Sequence, residues 1–435
     1  MTLEYREYFL NNRKTCGVLR EYCGASRREL RLASRTYVTT IDRTTEHGEE
    51  NMKLAEVASI AVLALCSVMG FSSISGADVT EAPGAEGSCE RGTGVVSATG
   101  FPVASDPSNR SAVNGTDKAK RLRVVVTTDF PPIGVVKAGN VPNDQKSDPD
   151  DMQSMVRFLL YANEFDIEGL MATSGTFAGK ARKQNILDVI GRYGQVYENL
   201  KKHDPLYPTA DQLRSVTFEG RDGTWGKKGT ENIGEGKDSE ASDALIAIVD
   251  KPDPRPIYVS VWGDCSVVAQ AIWKVQQTRS KAELETFLSK LRIHQIATQD
   301  GTIGWLRENF SSLFIIHSEK TYFGMFGGND PISDLAWVNR HIRHDHGPLC
   351  DVYPHEGIGC TGVCEGDSPA FLSLVSANRG LNNPDDPTQE SWGGQFKKDG
   401  NNNHYIDGLG APSISKWRKD FQKEFAERAD WCVSQ

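Results

Sequence analysis

The sequence has no excess of positive charge, no hydrophobic run long enough to span a bilayer, and no heptad, solenoid or low-complexity array. Each absence closes a class. Lys and Arg number 49 against 58 Asp and Glu, a net charge of −9, whereas a nucleic-acid partner asks for a basic face. The longest apolar run, Val57 to Phe71, is short of the roughly 20 residues that cross a membrane as a helix. Without a repeat period the chain is neither a coiled coil nor a stacked array. Cysteine is scarce, 9 in 435 residues. Cys360 and Cys364 stand close together, but no second Cys or His pair accompanies them at metal spacing, which argues against zinc.

What is present begins with a leader. Residues 1–51 are basic and show no clear period. Met52-Lys53-Leu54 then opens a charged start, an apolar centre and the small residues Ser75-Gly76-Ala77, the order of a secretory signal peptide. The expectation is a signal peptide over 52–77, preceded by an upstream extension of the gene at 1–51, and a secreted product with no membrane anchor after cleavage. Residues 78–120, rich in Gly, Ser, Ala and Pro, read as a flexible mature N-terminus. Cleavage leaves Cys89, Cys265, Cys350, Cys360, Cys364 and Cys432. An even number in a secreted chain fits disulfides and leaves the pairing open. Sequons stand at Asn109, Asn114 and Asn309.

From Arg121 onward strand-like and helix-like segments alternate. Strands are expected at Leu122–Asp129, Phe165–Ser174, Arg255–Gly263, Leu291–Ala297 and Leu313–His317. Helical patterns fall at Lys180–Leu200, Ser239–Val249, Ser266–Gln276, Ser280–Lys290, Ile332–Arg343, from Pro369, and Ser413–Arg428. Residues 203–238 and the run Asn401-Asn402-Asn403-His404 read as polar loops. Such alternation implies one α/β domain over 121–435, a mostly parallel sheet with helices on both faces.

The densest chemical signal is Ser147-Asp148-Pro149-Asp150-Asp151, followed by an amphipathic run. Asp148 and Pro149 read as an N-cap and a first-turn proline. On that bland reading Asp150 and Asp151 only favour the helix dipole. The context adds to it. The β-branched run Leu122-Arg123-Val124-Val125-Val126-Thr127-Thr128 ends in Asp129, and an acid at the C-terminal end of a parallel strand faces the crevice where such sheets bind ligands. Clustered carboxylates there suit a hard cation such as Ca²⁺ or Mg²⁺.

A strand ending in Asp, with an Asp-Asp pair opening the next helix, resembles the nucleoside hydrolase signature. Residues 130–147 separate the first acid from the pair, which resembles the nucleoside hydrolase-like domain of the cellulose-binding protein family. Val259-Ser260-Val261-Trp262-Gly263, Gln299-Asp300, Glu365-Gly366-Asp367-Ser368-Pro369 and Ser391-Trp392-Gly393-Gly394 extend the likeness. The resemblance implies a Ca²⁺ site made by Asp129, Asp151, Asp367 and the Trp262 backbone carbonyl. It implies Asp129 as base on a water and Asp150 as a supporting acid that contacts the sugar. It departs at two places. Gly366 stands where purine-accepting members have a His, so Glu365 is taken as the substitute acid, with His355 and Asp300 as alternatives. Thr173-Ser174-Gly175 replaces a Gly-Asn pair, leaving Ser174, Asp300 and Trp392 as candidate substrate contacts. Glu365, His355 and Asp300 each have a plainer reading, as a loop acid, a solvated His and a turn or cap; Trp392, in a flexible stretch, reads as a pocket wall. Trp225 and Trp305 are further candidates for sugar stacking, while Trp337 reads as core. The function implied is hydrolysis of a ribosyl or other furanosyl bond in a nucleoside or glycoside. The alternative is a non-catalytic carbohydrate-binding protein, with a polysaccharide as its partner. The oligomeric state stays open.

Overall fold

The structure, a computed structural model, describes residues 121–135, 142–175, 178–328, 330–357 and 359–434. The signal peptide, the upstream extension, Cys89, Asn109 and Asn114 lie outside the described residues.

Ten strands are present among the described residues: β1 Leu122–Thr128, β2 Phe165–Ala172, β3 Thr217–Glu219, β4 Ile257–Val261, β5 Leu291–Ile296, β6 Phe314–Ser318, β7 Glu356–Gly357, β8 Cys360–Thr361, β9 Phe396–Lys398 and β10 His404–Asp407. Eight of them form one sheet in the order β3-β2-β1-β4-β5-β6-β10-β9. All pairs are parallel except β9 with β10. The helices are α1 Asp150–Leu160, α2 Lys183–His203, α3 Ala210–Ser215, α4 Glu240–Asp250, α5 Ser266–Thr278, α6 Lys281–Ser289, α7 Thr302–Asn309, α8 Leu335–Val338, α9 Gly347–Asp351, α10 Pro369–Asn378, α11 Pro412–Ser415 and α12 Arg418–Asp430.

The strand period explains the layering. Successive side chains of a strand point to opposite faces. On β1, Val124 and Val126 enter one apolar cluster with α1, α2, α10 and α12. Val125 enters a second, with α4 to α7. Both faces of the sheet are therefore covered, as a parallel sheet requires. Several helices start where their sequences say they should: Thr209, Ser239 and Ser280 each close a capping box on α3, α4 and α6.

Four local expectations are corrected. Residues 203–238 are not all loop, for they contain α3 and the edge strand β3. The second half of Ile332–Arg343 widens into a π-helical turn at Asn339–Arg343 after the short α8. His404 belongs to β10 rather than to a loop. The closing helix is broken at Lys416 and Trp417 into α11 and α12. Both missed pieces of sheet are strands of three or four residues towards the two ends of the sheet, too short to show a period.

The chain runs outward from β1 through β2 to β3, then returns to pair β4 on the other side of β1. The strand order reverses there, and that crevice is where open α/β sheets take ligands. Asp129 follows β1 directly.

Candidate metal centre

Three segments carry the acids to one place. Asp129 leaves the C-terminal end of β1. Asp150 and Asp151 open α1. Asp367 lies just before α10, whose Pro369 sits in the first turn. Carboxylate oxygens of Asp150, Asp151 and Asp367 lie within 4.8 Å of one another. Asp129 is 5% exposed and closes the side nearest the sheet. Its backbone N–H donates to Asp151 Oδ1 at 3.2 Å, and Thr128 Oγ1 donates to the same oxygen at 2.7 Å. Ser147 Oγ donates to the Asp129 carbonyl and, at 3.3 Å, to its carboxylate. The structure thus brings the four expected acids together.

The expected cap does not form. Pro149, not Asp148, holds the N-cap position, and no side chain caps α1. Asp148 instead hydrogen-bonds the Asp150 carboxyl, making it a fifth acid that the sequence reading had assigned to the helix end. The electrostatic result is consistent. Burial, then Asp148 and Asp367, pushes Asp150 well above the carboxylate range. Burial raises Asp151 to about 7, against the pull of Thr128. Burial, then Asp151, Asp148 and Asp129, raises Asp367 strongly. Buried like charges cannot all ionise without a compensating cation. The donors are all oxygen, so they fit a hard divalent ion and not a soft one.

The adjacent strand ends complete the rim. A Cβ on Gly263 would come within 2.7 Å of Asp129 Oδ1 and 2.5 Å of Thr173 Oγ1, so only glycine lets β4 approach this closely. Thr173 Oγ1 and Ser174 Oγ are buried and make no hydrogen bond within the protein. A buried polar atom in that state is suited to a ligand hydroxyl. The carbonyl of Trp262 accepts from Gln299 Nε2, while its ring is fully buried against Phe158 and Phe371. A cation drawing on that carbonyl would compete with the Gln299 amide.

Three proposed contacts are corrected. Glu365 is not a substitute acid facing a ligand. It is fully buried, with Arg157 Nε at 2.6 Å and Ser368 Oγ at 2.7 Å on Oε2, and Tyr353 Oη at 2.6 Å on Oε1. A carboxylate sealed between a guanidinium and two hydroxyls is held in place by them. Asp300 is likewise a strut, 3% exposed. It accepts from Asn232 Nδ2 at 2.7 Å, Thr302 Oγ1 at 2.8 Å and the Cys265 N–H at 3.1 Å. Trp392 is a core ring, 7% exposed and edge-on to Phe421. His355 is partly exposed beside Glu356. Trp305 packs on Phe310, and Trp225 is 41% exposed.

The family described as the cellulose-binding Sde182, nucleoside hydrolase-like domain matches residues 140–396. The chain belongs to that family. The matched span holds Asp150, Asp151 and Asp367; Asp129 lies just upstream of it. A solved nucleoside hydrolase-related hypothetical protein from Saccharophagus degradans, associated with carbohydrate metabolism, is 34% identical over 72% of each chain, with a TM-score of 0.60. The type III effector XopQ, solved with adenosine diphosphate ribose, matches 72% of this chain and 94% of its own at 10% identity and a TM-score of 0.39. No curated protein sequence matches. The Sde182-like fold therefore carries, in this chain, an acidic cluster at the switch point of a mostly parallel sheet.

Proposed function

We propose that this chain is a secreted, Ca²⁺-dependent hydrolase of a furanosyl glycosidic bond. The observation that carries the reading is the convergence of Asp150, Asp151 and Asp367 within 4.8 Å beside Asp129. Asp151 and Asp367 would hold the ion with Asp129. A bound cation supplies a positive charge that gathers sugar hydroxyls and makes a water more acidic. Asp129, held by Ser147, would take the proton of that water. Asp150, beside Asp148 and the Gly366 N–H, would contact a sugar hydroxyl. Thr173 Oγ1 meets another.

Neither Gly366 nor Glu365 offers the leaving group a proton. Gly366 has no side chain, and Glu365 is sealed by Arg157 and Tyr353. That observation gives the second reading, a carbohydrate-binding protein with a retained ion site, specific support. The two separate on substrate chemistry. An aryl ribofuranoside departs without protonation; a nucleoside needs an acid.

Calorimetry with Ca²⁺ on the wild type and Asp151→Asn comes first, then turnover of nitrophenyl ribofuranoside and of inosine. Calcium binding lost in the variant, with turnover of the aryl glycoside well above that of inosine, supports the hydrolase. Calcium binding with no turnover of either transfers the conclusion to the binding protein. Absence of calcium binding by the wild type removes the ion from both readings.

A further inference from the structure

Beside the acids stands an aromatic group that no sequence motif announced. A tight 3-10 turn, Thr321–Met325, follows β6 and carries Tyr322 and Phe323, with Phe326 just after it. The ring centroids of Tyr322 and Phe323 are 4.4 Å apart, those of Phe323 and Phe326 5.4 Å, and those of Tyr322 and Phe326 6.2 Å. Their place next to the acids follows from Gly366. A Cβ there would meet Asp150 Oδ2 at 2.9 Å, Tyr322 Cδ2 at 3.3 Å and Phe326 Cε1 at 3.4 Å. The same adjacency shows in the Tyr322 hydroxyl, which burial raises first and Asp367 next. Phe323 stands outermost, 47% exposed.

We propose that Tyr322, Phe323 and Phe326 form a stacking wall for a neutral sugar ring whose hydroxyl edge faces Asp150 and Asp367. This rests on the reading of the acids as a cation and sugar site. A sugar ring has an apolar C–H face and a polar hydroxyl edge. The wall and the acids present the matching pair of surfaces at one corner. Gly366 lets Asp150, Tyr322 and Phe326 approach one another more closely than a side chain there would allow. An anionic ligand would meet the acids at a cost, so a neutral sugar is the fit. The wall is rigid enough to act as a platform. Thr321 donates to Asp407 Oδ1 from its N–H at 3.0 Å and its hydroxyl at 2.6 Å. Gly324 packs against the Ala411 carbonyl and Ile414 so closely that no Cβ fits. The wall lies outside the acid cluster proper, so it selects what sits next to the ion without holding it.

The test is titration calorimetry of the full chain in Ca²⁺ with cellotetraose and, separately, inosine. The variants are Phe323→Ala, Phe323→Trp and, as an exposed control, Leu409→Ala. The expected result is a cellotetraose Kd weakened by about tenfold in Phe323→Ala, the scale of one ring's apolar contact. Phe323→Trp and Leu409→Ala should retain affinity, and all variants should bind Ca²⁺ as the wild type does. Equal cellotetraose affinity in Phe323→Ala and the wild type overturns the wall and leaves the ion site standing. Binding of inosine without cellotetraose overturns the sugar ring in favour of a planar base. Calcium binding with neither ligand bound overturns the wall together with the sugar-site reading beneath it.

Discussion

At the scale of single residues, the acids divide by their partners. Asp300 lies apart from the ion site. Burial, then Asp264, raises it to about 6. Its folded pKa thus exceeds the unfolded value, so the folded state binds more protons between about pH 4 and 6. The stability from this group is complete below pH 4 and is lost as pH rises to 6. Unfolding by urea across that window should show the fall, at most about 3 kcal/mol from the size of the shift. Asp300→Asn should flatten it, and an unchanged slope in the variant would place the titration elsewhere. Glu365 is held by a charged partner instead. Its pair with Arg157 is buried, and removing one partner leaves an uncompensated charge at a cost of about 3–5 kcal/mol. Glu365→Gln should therefore lower Tm sharply, and Arg157→Met added to it should recover much of the loss. If Glu365 were the leaving-group acid, the single variant would instead keep its Tm and lose turnover.

At the scale of elements, α1 is the organiser. Its buried polar residues recur at helical spacing, and all reach the segment that delivers Asp367. Asp150 accepts from the Gly366 N–H. Gln153 donates to the Pro354 and Gly362 carbonyls and accepts from the Cys364 N–H. Ser154 accepts from Ser368, and Arg157 binds Glu365. The Cys360–Cys364 disulfide lies within that segment, on the β7–β8 hairpin. A second cysteine pair sits where α12 meets α9: Cys350 and Cys432, both buried, have sulfurs 3.9 Å apart. A disulfide needs the sulfurs to close to about 2.05 Å. Oxidised glutathione should take up two electrons and two protons from these thiols, closing a bond across 82 residues. The expected readouts are a loss of two free thiols on denatured protein and a Tm several degrees higher, reversed by dithiothreitol. Free thiols unchanged after oxidation would show that packing holds the sulfurs apart. Sequence could not pair these cysteines, because their meeting depends on how α9 and α12 dock. It did reveal the strands Leu122–Thr128 and Ile257–Val261, because β-branched runs leave few other options. It also revealed Asp129, Asp150, Asp151 and Asp367, because a motif places acids at element ends. It mistook Glu365, Asp300 and Trp392 because composition alone does not tell a side chain that faces a cleft from one that braces the wall behind it. Tyr322 and Phe323 escaped notice because two aromatics after a strand form no motif, and only the fold brings them beside Asp367.

At the scale of the whole molecule, the acids tie together parts of the chain separated by more than 200 positions. Asp129 ends the first strand of the sheet, and Asp367 opens a helix late in the domain. In the ion-free protein these carboxylates repel one another, and burial magnifies the cost. An ion that binds only the assembled site stabilises the fold by mass action, about 2.7 kcal/mol at a hundredfold excess over Kd. Thermal unfolding in Ca²⁺ should therefore occur several degrees higher than in chelator. Asp151→Asn separates repulsion from binding. Asparagine keeps the oxygen that accepts from Thr128 Oγ1 and the Asp129 N–H, yet removes one negative charge. Without Ca²⁺ the variant should be more stable than the wild type, and adding Ca²⁺ should change its Tm little. The two proteins should then exchange rank as Ca²⁺ is raised. A variant less stable than the wild type in chelator would mean that the amide disrupts the Thr128 contact by more than the lost repulsion returns. A full calcium shift retained in the variant would mean that Asp129 and Asp367 hold the ion without Asp151.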